Sequence, residues 1–237
     1  MTSRAREEQN SSPPTPHLHQ LKTPRAAALA GVLFALLFGA VIVLIRLRMP
    51  EGMKDSAGWL SNNHDGITAA AVLMPFAGIS FLWFIGVVRD GFGHYEDRFF
   101  ASVFLGSGLL FLAMMFVSTA VAAGLVATNS GVVDPAAHAE VVDFGKMVVL
   151  STTKTYALRM AAVFMISAAT IWFRTGLMPK WLALLSYLVA VAILLASDLS
   201  MWVTLAFPVW VLVVSGLFLT RAGLIDVDWH EDEKAKP

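Results

Sequence analysis

Phe99–Thr128 runs for thirty residues without one charged side chain. It is opened by Glu96-Asp97-Arg98 and followed by the turn-forming Asn129-Ser130-Gly131. Hydrocarbon offers a backbone no hydrogen bonds, so in lipid such a run folds as a helix that satisfies its own N–H and C=O groups. At about 1.5 Å rise per residue, it is longer than the roughly 20 residues that a bilayer core requires. Ser102 and Gly106, and again Ala120 and Gly124, are spaced i,i+4 on one face. That spacing lets neighbouring helices approach closely in lipid. The run is therefore expected to be a central transmembrane helix around which others pack.

Composition supports the same solvent. The chain has 237 residues, 57% apolar and 14% charged, whereas soluble domains are usually about 25% charged. One bundle of six helices fits this length, and a second folded domain does not. Cysteine is absent, which excludes disulfides, thiol catalysis and Cys-ligated metals. A formal net charge of zero gives no case for nucleic-acid binding.

The fold class expected is all-α: a polytopic membrane protein of six transmembrane helices in one bundle, with a short amphipathic surface helix. Residues 1–25 are polar and hold Pro13, Pro14, Pro16 and Pro24, so they form a disordered cytoplasmic tail. They are not a cleaved signal peptide, because the first apolar run starts after residue 25. The transmembrane domain is 26–221. Its spans are Ala26–Ile45, Ile67–Val88, the central run, Tyr156–Phe173, Trp181–Ala196 and Met201–Thr220. Pro75 and Pro208 lie inside spans and predict kinks. Residues 222–237 form a charged cytoplasmic tail.

The surface helix belongs to the long connection Asn129–Thr153. Asp134-Pro135 is a helix start, with Asp as N-cap and Pro at the first helical position. Behind it Val141, Val142, Phe144, Val148 and Val149 mix with His138, Glu140, Asp143 and Lys146. Gly91 and Gly93 mark a turn, and Ser197–Ser200 is a minimal turn between spans five and six. Basic residues set the orientation: eleven of the 17 fall on the side of the termini and six on the other. Both termini are therefore expected in the cytoplasm of a cell with this protein in its plasma membrane. Trp172 and Trp181 flank an inner turn, and Trp59 and Trp202 lie toward the outer side, as interfacial belts would have it.

Arg159 is the most informative polar residue, since it falls about one turn inside the fourth span, where a charge is costly. Thr152, Tyr156 and Arg159 share a helical face, as do Ser151, Thr155 and Arg159. That predicts a polar stripe entering the bundle. Asp198 is the expected counter-charge, with Asp143 and Glu140 as competitors. Three readings stay open: a structural ion pair, an arginine that snorkels outward, and a binding or permeation site built on Arg159, Asp198, Tyr156 and Asp143. His64, Asp65, His138, Glu140 and Asp143 fall on the outer side, but their spacing matches no zinc signature. No catalytic residue, metal or cofactor is expected. No pair of histidines suits haem, and no serine has an intramembrane histidine as its base.

Arg159-Met160-Ala161-Ala162-Val163-Phe164 begins a span, and Gly176-Leu177-Met178-Pro179-Lys180-Trp181-Leu182 joins it to the next. This C-terminal third resembles a family of six-span bacterial integral membrane proteins of unknown function. The resemblance implies a six-helix bundle in a bacterial cytoplasmic membrane and no particular activity. Two functions follow as expectations. The first is a non-enzymatic structural, accessory or partner-binding protein, with the lipid bilayer and a membrane-protein partner or second copy around it. The second is a small-molecule or ion transporter with a polar site near Arg159. A dry core favours the first; a polar cavity reaching mid-membrane favours the second.

Overall fold

The apolar runs fold as helices whose ends fall at capping and turn residues. The computed structural model describes residues 23–48, 64–90, 98–128, 134–196 and 201–221. The two polar tails (residues 1–22 and 222–237), the Gly91-x-Gly93 turn and the Ser197–Ser200 turn with Asp198 lie outside the described residues. The helices are α1 (Thr23–Arg48), α2 (His64–Asp90), α3 (Arg98–Ala127), α4 (Pro135–Leu150), α5 (Leu158–Thr175), α6 (Lys180–Ala196) and α7 (Ala206–Arg221). A π-helical segment, Ser151–Ala157, joins α4 to α5, and a 3-10 turn, Met201–Leu205, precedes α7. Among the described residues there is no strand. Within those residues five helical stretches are long and apolar enough to cross a membrane, and α6 is a shorter apolar helix of 17 residues.

Local chemistry explains the boundaries. Asp134 is extended and caps α4, its Oδ1 accepting from the N–H groups of Ala136 at 3.0 Å and Ala137 at 3.3 Å. Pro135 stands at the first helical position, as expected. Gly176 ends α5 in the left-handed region at φ 67°, where a side chain would be strained. Pro208 is the third residue of α7, just past the point where the 3-10 turn gives way to α-helix. Pro75 does lie in the interior of α2.

The surface helix and the fourth span are one continuous helix, which corrects the expectation of two elements. Ala136–Thr175 runs for 40 residues. The sequence conceals this because the buried stripe changes phase. α5 buries Leu158, Ala161, Met165, Ala168 and Trp172, and α4 buries Val142, Lys146 and Val149. Regular α geometry turns about 100° per residue, and carried back through it the α4 stripe points roughly a third of a turn away from the α5 stripe. In the π segment the bonds run i→i+5, as from the Leu158 N–H to the Thr153 carbonyl. Each residue there turns only about 80°. Over seven residues the shortfall brings both stripes to one side, and both α4 and the π segment pack on α3.

Ten aromatic rings fill the middle of the bundle, two from each of five helices: Phe34 and Phe38 (α1), Phe81 and Phe84 (α2), Phe104 and Phe111 (α3), Phe164 and Trp172 (α5), Phe207 and Trp210 (α7). Phe81 is one of two hubs with Phe207, each touching five rings; Phe81 meets Phe34, Phe84, Phe111, Phe164 and Phe207 at centroid distances of 4.5 to 6.3 Å. Trp172 stacks on Trp210 at 5.9 Å, so both are core residues, while Trp83, Trp181 and Trp202 are exposed. α3 packs on α2, α4, the π segment and α5. Its close approach uses Gly108, where an added Cβ would lie 2.7 Å from Ile85 and 3.1 Å from the Phe164 ring. The predicted face does not serve: Ser102, Ala120 and Gly124 are exposed, and a Cβ at Gly106 or Gly124 meets nothing.

α6 sits at the edge, packed mainly on α5. Two polar links hold it. The Trp210 Nε1–H donates to Ser186 Oγ at 2.8 Å, and that hydroxyl donates to the Leu182 carbonyl at 2.8 Å. Thr170 donates to the Ile166 carbonyl at 2.8 Å, which leaves the Tyr187 hydroxyl to donate to Thr170 Oγ1 at 2.6 Å. Ser186→Ala strands the buried indole N–H and is expected to cost about 1–3 kcal/mol. Reversible unfolding in mixed micelles measures it, and Trp210→Phe in the same background should remove most of the polar part of the penalty.

Candidate functional site

Apolar packing surrounds a small group of buried polar side chains where α1 ends and α7 begins. Ser118 of α3 is fully buried, and Thr153 of the π segment and Thr204 of the 3-10 turn are nearly so. Ser118 Oγ donates to the Val149 carbonyl at 3.3 Å and lies 2.7 Å from Thr153 Oγ1. With the Ser118 proton on Val149, Thr153 donates to Ser118, and both hydroxyls are satisfied. Arg46, in the last turn of α1, lies over the Trp202 ring at 5.3 Å. A matching pair closes the other end of the bundle, with Arg174 over Phe100 at 4.8 Å.

Between these groups is a narrow, largely closed cavity of about 10 Å³, lined by Ile42, Ile45, Arg46, Met115, Val149, Leu150, Thr153 and Thr204. It admits roughly one water molecule. Hydroxyls bonded to one another and to helix carbonyls can clip helices together in lipid. Such links are worth about 0.6 kcal/mol on average and at most about 1.7. Thr153→Val is expected to fall in that range by equilibrium unfolding, and Ser118→Ala combined with it should cost less than the sum of the two.

The residues singled out from the sequence are arranged differently. Arg159 is half-buried, and its Nη1 donates to the Thr155 carbonyl of its own helix at 2.8 Å, reaching back toward the same end as Arg46. Tyr156 is 56% exposed. Thr152 donates to the Val148 carbonyl at 2.7 Å. The stripe of Thr152, Tyr156 and Arg159 therefore does not enter the bundle. The wide turns of the π segment carry Thr153 inward in its place. Asp143 lies on the same continuous helix as Arg159, sixteen residues away, which is about 24 Å. They are not within reach of each other, and Glu140 is farther still. Asp198 lies outside the described residues. Among the described residues, no group of three His, Asp or Glu side chains comes together that could hold a metal ion.

Sequence reasoning missed Ser118, Thr153, Thr204 and Arg46. Hydroxyls within apolar helices were the available signal, and locating the inward one required the phase of the π segment. No protein-family model matches the chain, and no curated protein or solved structure matches it.

Proposed function

We propose that the chain is a six-span integral protein of a bacterial cytoplasmic membrane, with both termini in the cytoplasm, serving a non-enzymatic structural or partner-binding role. The observation that carries this reading is the ring cluster around Phe81, which fills the middle of the bundle with side chains that hold no water. A transport route past Arg159 requires a hydrated path through that cluster. The resemblance of the C-terminal third supports the bacterial membrane and the six spans. α6 serves as the fifth span: its 17 residues reach the lower limit of about 17 for a membrane helix. The large apolar side chains exposed on every side, among them Leu33, Phe76, Leu110 and Leu188, suit acyl chains better than water.

Two measurements test the proposal. A reporter fused after Pro237 should read cytoplasmic. Proteoliposomes should leak small ions and neutral solutes no faster than protein-free vesicles, and a saturable flux would replace this role with the transport reading.

A further inference from the structure

One length has to be reconciled with the membrane. α3 is uncharged from Phe99 to its end, and its 30 residues measure about 45 Å, against a hydrocarbon core of about 30 Å. The helix Ala136–Thr175 has 40 residues and measures about 60 Å. Standing upright, these two helices would lift the last third of α3 and all of α4 into water. Yet that last third holds no charge, and α4 exposes Val141 by 54%, Phe144 by 72% and Met147 by 67%. These residues face outward because Val142, Lys146 and Val149 face α3.

We propose that α3 and the long helix cross the bilayer steeply tilted, and that Val141, Phe144 and Met147 rest among phospholipids at the interface of the leaflet on that side. A tilt of about 40°, the upper end of the observed range, shortens α3 to about 35 Å along the membrane normal. The same tilt lowers Phe144 to about 36 Å above the level of Thr175, within the headgroup layer. One angle thus accounts for the uncharged length of α3 and for the apolar face of α4. Glu140, one turn before Phe144 and exposed, is left at the polar edge of that layer. The inference rests on the spanning topology proposed above.

The chain has no cysteine, so single-cysteine variants can be spin-labelled with no background. Phe144→Cys and Met147→Cys, reconstituted in phosphatidylcholine vesicles, would carry a nitroxide, and collision with oxygen and with a water-soluble nickel chelate would be measured. In the expected result both labels collide with oxygen several-fold more than with the chelate. The reverse ratio would place the face in water and overturn the inference. Protection from both reagents would mean that protein, such as a second copy, covers the face, and would overturn it equally. Leu188→Cys on the exposed side of α6 separates the two readings: it reports hydrocarbon if the chain spans at all, whatever α4 does.

Discussion

Replacing Phe81 by alanine is expected to lower the free energy of unfolding by about 3–5 kcal/mol, among the largest effects of single truncations in the bundle. Phe81 is fully buried and touches rings from four helices besides a neighbour on its own. In lipid, helix association draws on packing and not on escape from water, so a void at this hub forfeits contacts that no solvent replaces. Phe76→Ala on the same helix is the control. That ring is 58% exposed, and its loss should change stability by less than about 1 kcal/mol. Equilibrium unfolding in mixed micelles with increasing dodecyl sulfate provides both numbers. Equal losses for the two variants would remove Phe81 from the centre of the core.

The second large effect concerns the π segment. Seven residues at roughly 80° turn the chain about as far as six residues of α-helix at 100°. Deleting Thr155 should therefore let Ser151–Ala157 become regular helix while Val142, Lys146, Val149 and Thr153 still face α3. The expected cost is about 1 kcal/mol or less. Deleting Tyr156 as well rotates α4 by about 100°, turns Lys146 away from α3, and should abolish α4 packing with a loss of several kcal/mol. Proteolysis within α4 and the unfolding midpoint would separate the two cases. A single deletion as damaging as the double one would mean that the wide turns do more than set the phase.

Helix existence was legible because charge-free length and caps are local properties. Asp134-Pro135 announced the start of α4, and Gly176 announced the end of α5. The course of the long helix was not legible. Its stripe breaks phase at Ser151–Ala157, and a break of that kind reads as a loop when one period is assumed throughout. The same step set the polar stripe through Tyr156 and Arg159, whereas the hydroxyls that meet inside the bundle are those of Thr153 and Ser118. Gly106 and Gly124 were misread for another reason. Small residues permit close approach on any face, and only the neighbouring chain decides which face is used; Gly108, two positions on, is the one that meets Ile85 and Phe164.

The peripheral seat of α6 bears on biogenesis. The five ring-bearing segments can complete their mutual fit while the sixth is still unattached, because α6 supplies no ring to the cluster and is held by Ser186 and Tyr187 at its rim. In the translocon, α6 and α7 would leave the ribosome as a pair, with α7 seeking the centre and drawing its shorter companion in behind it.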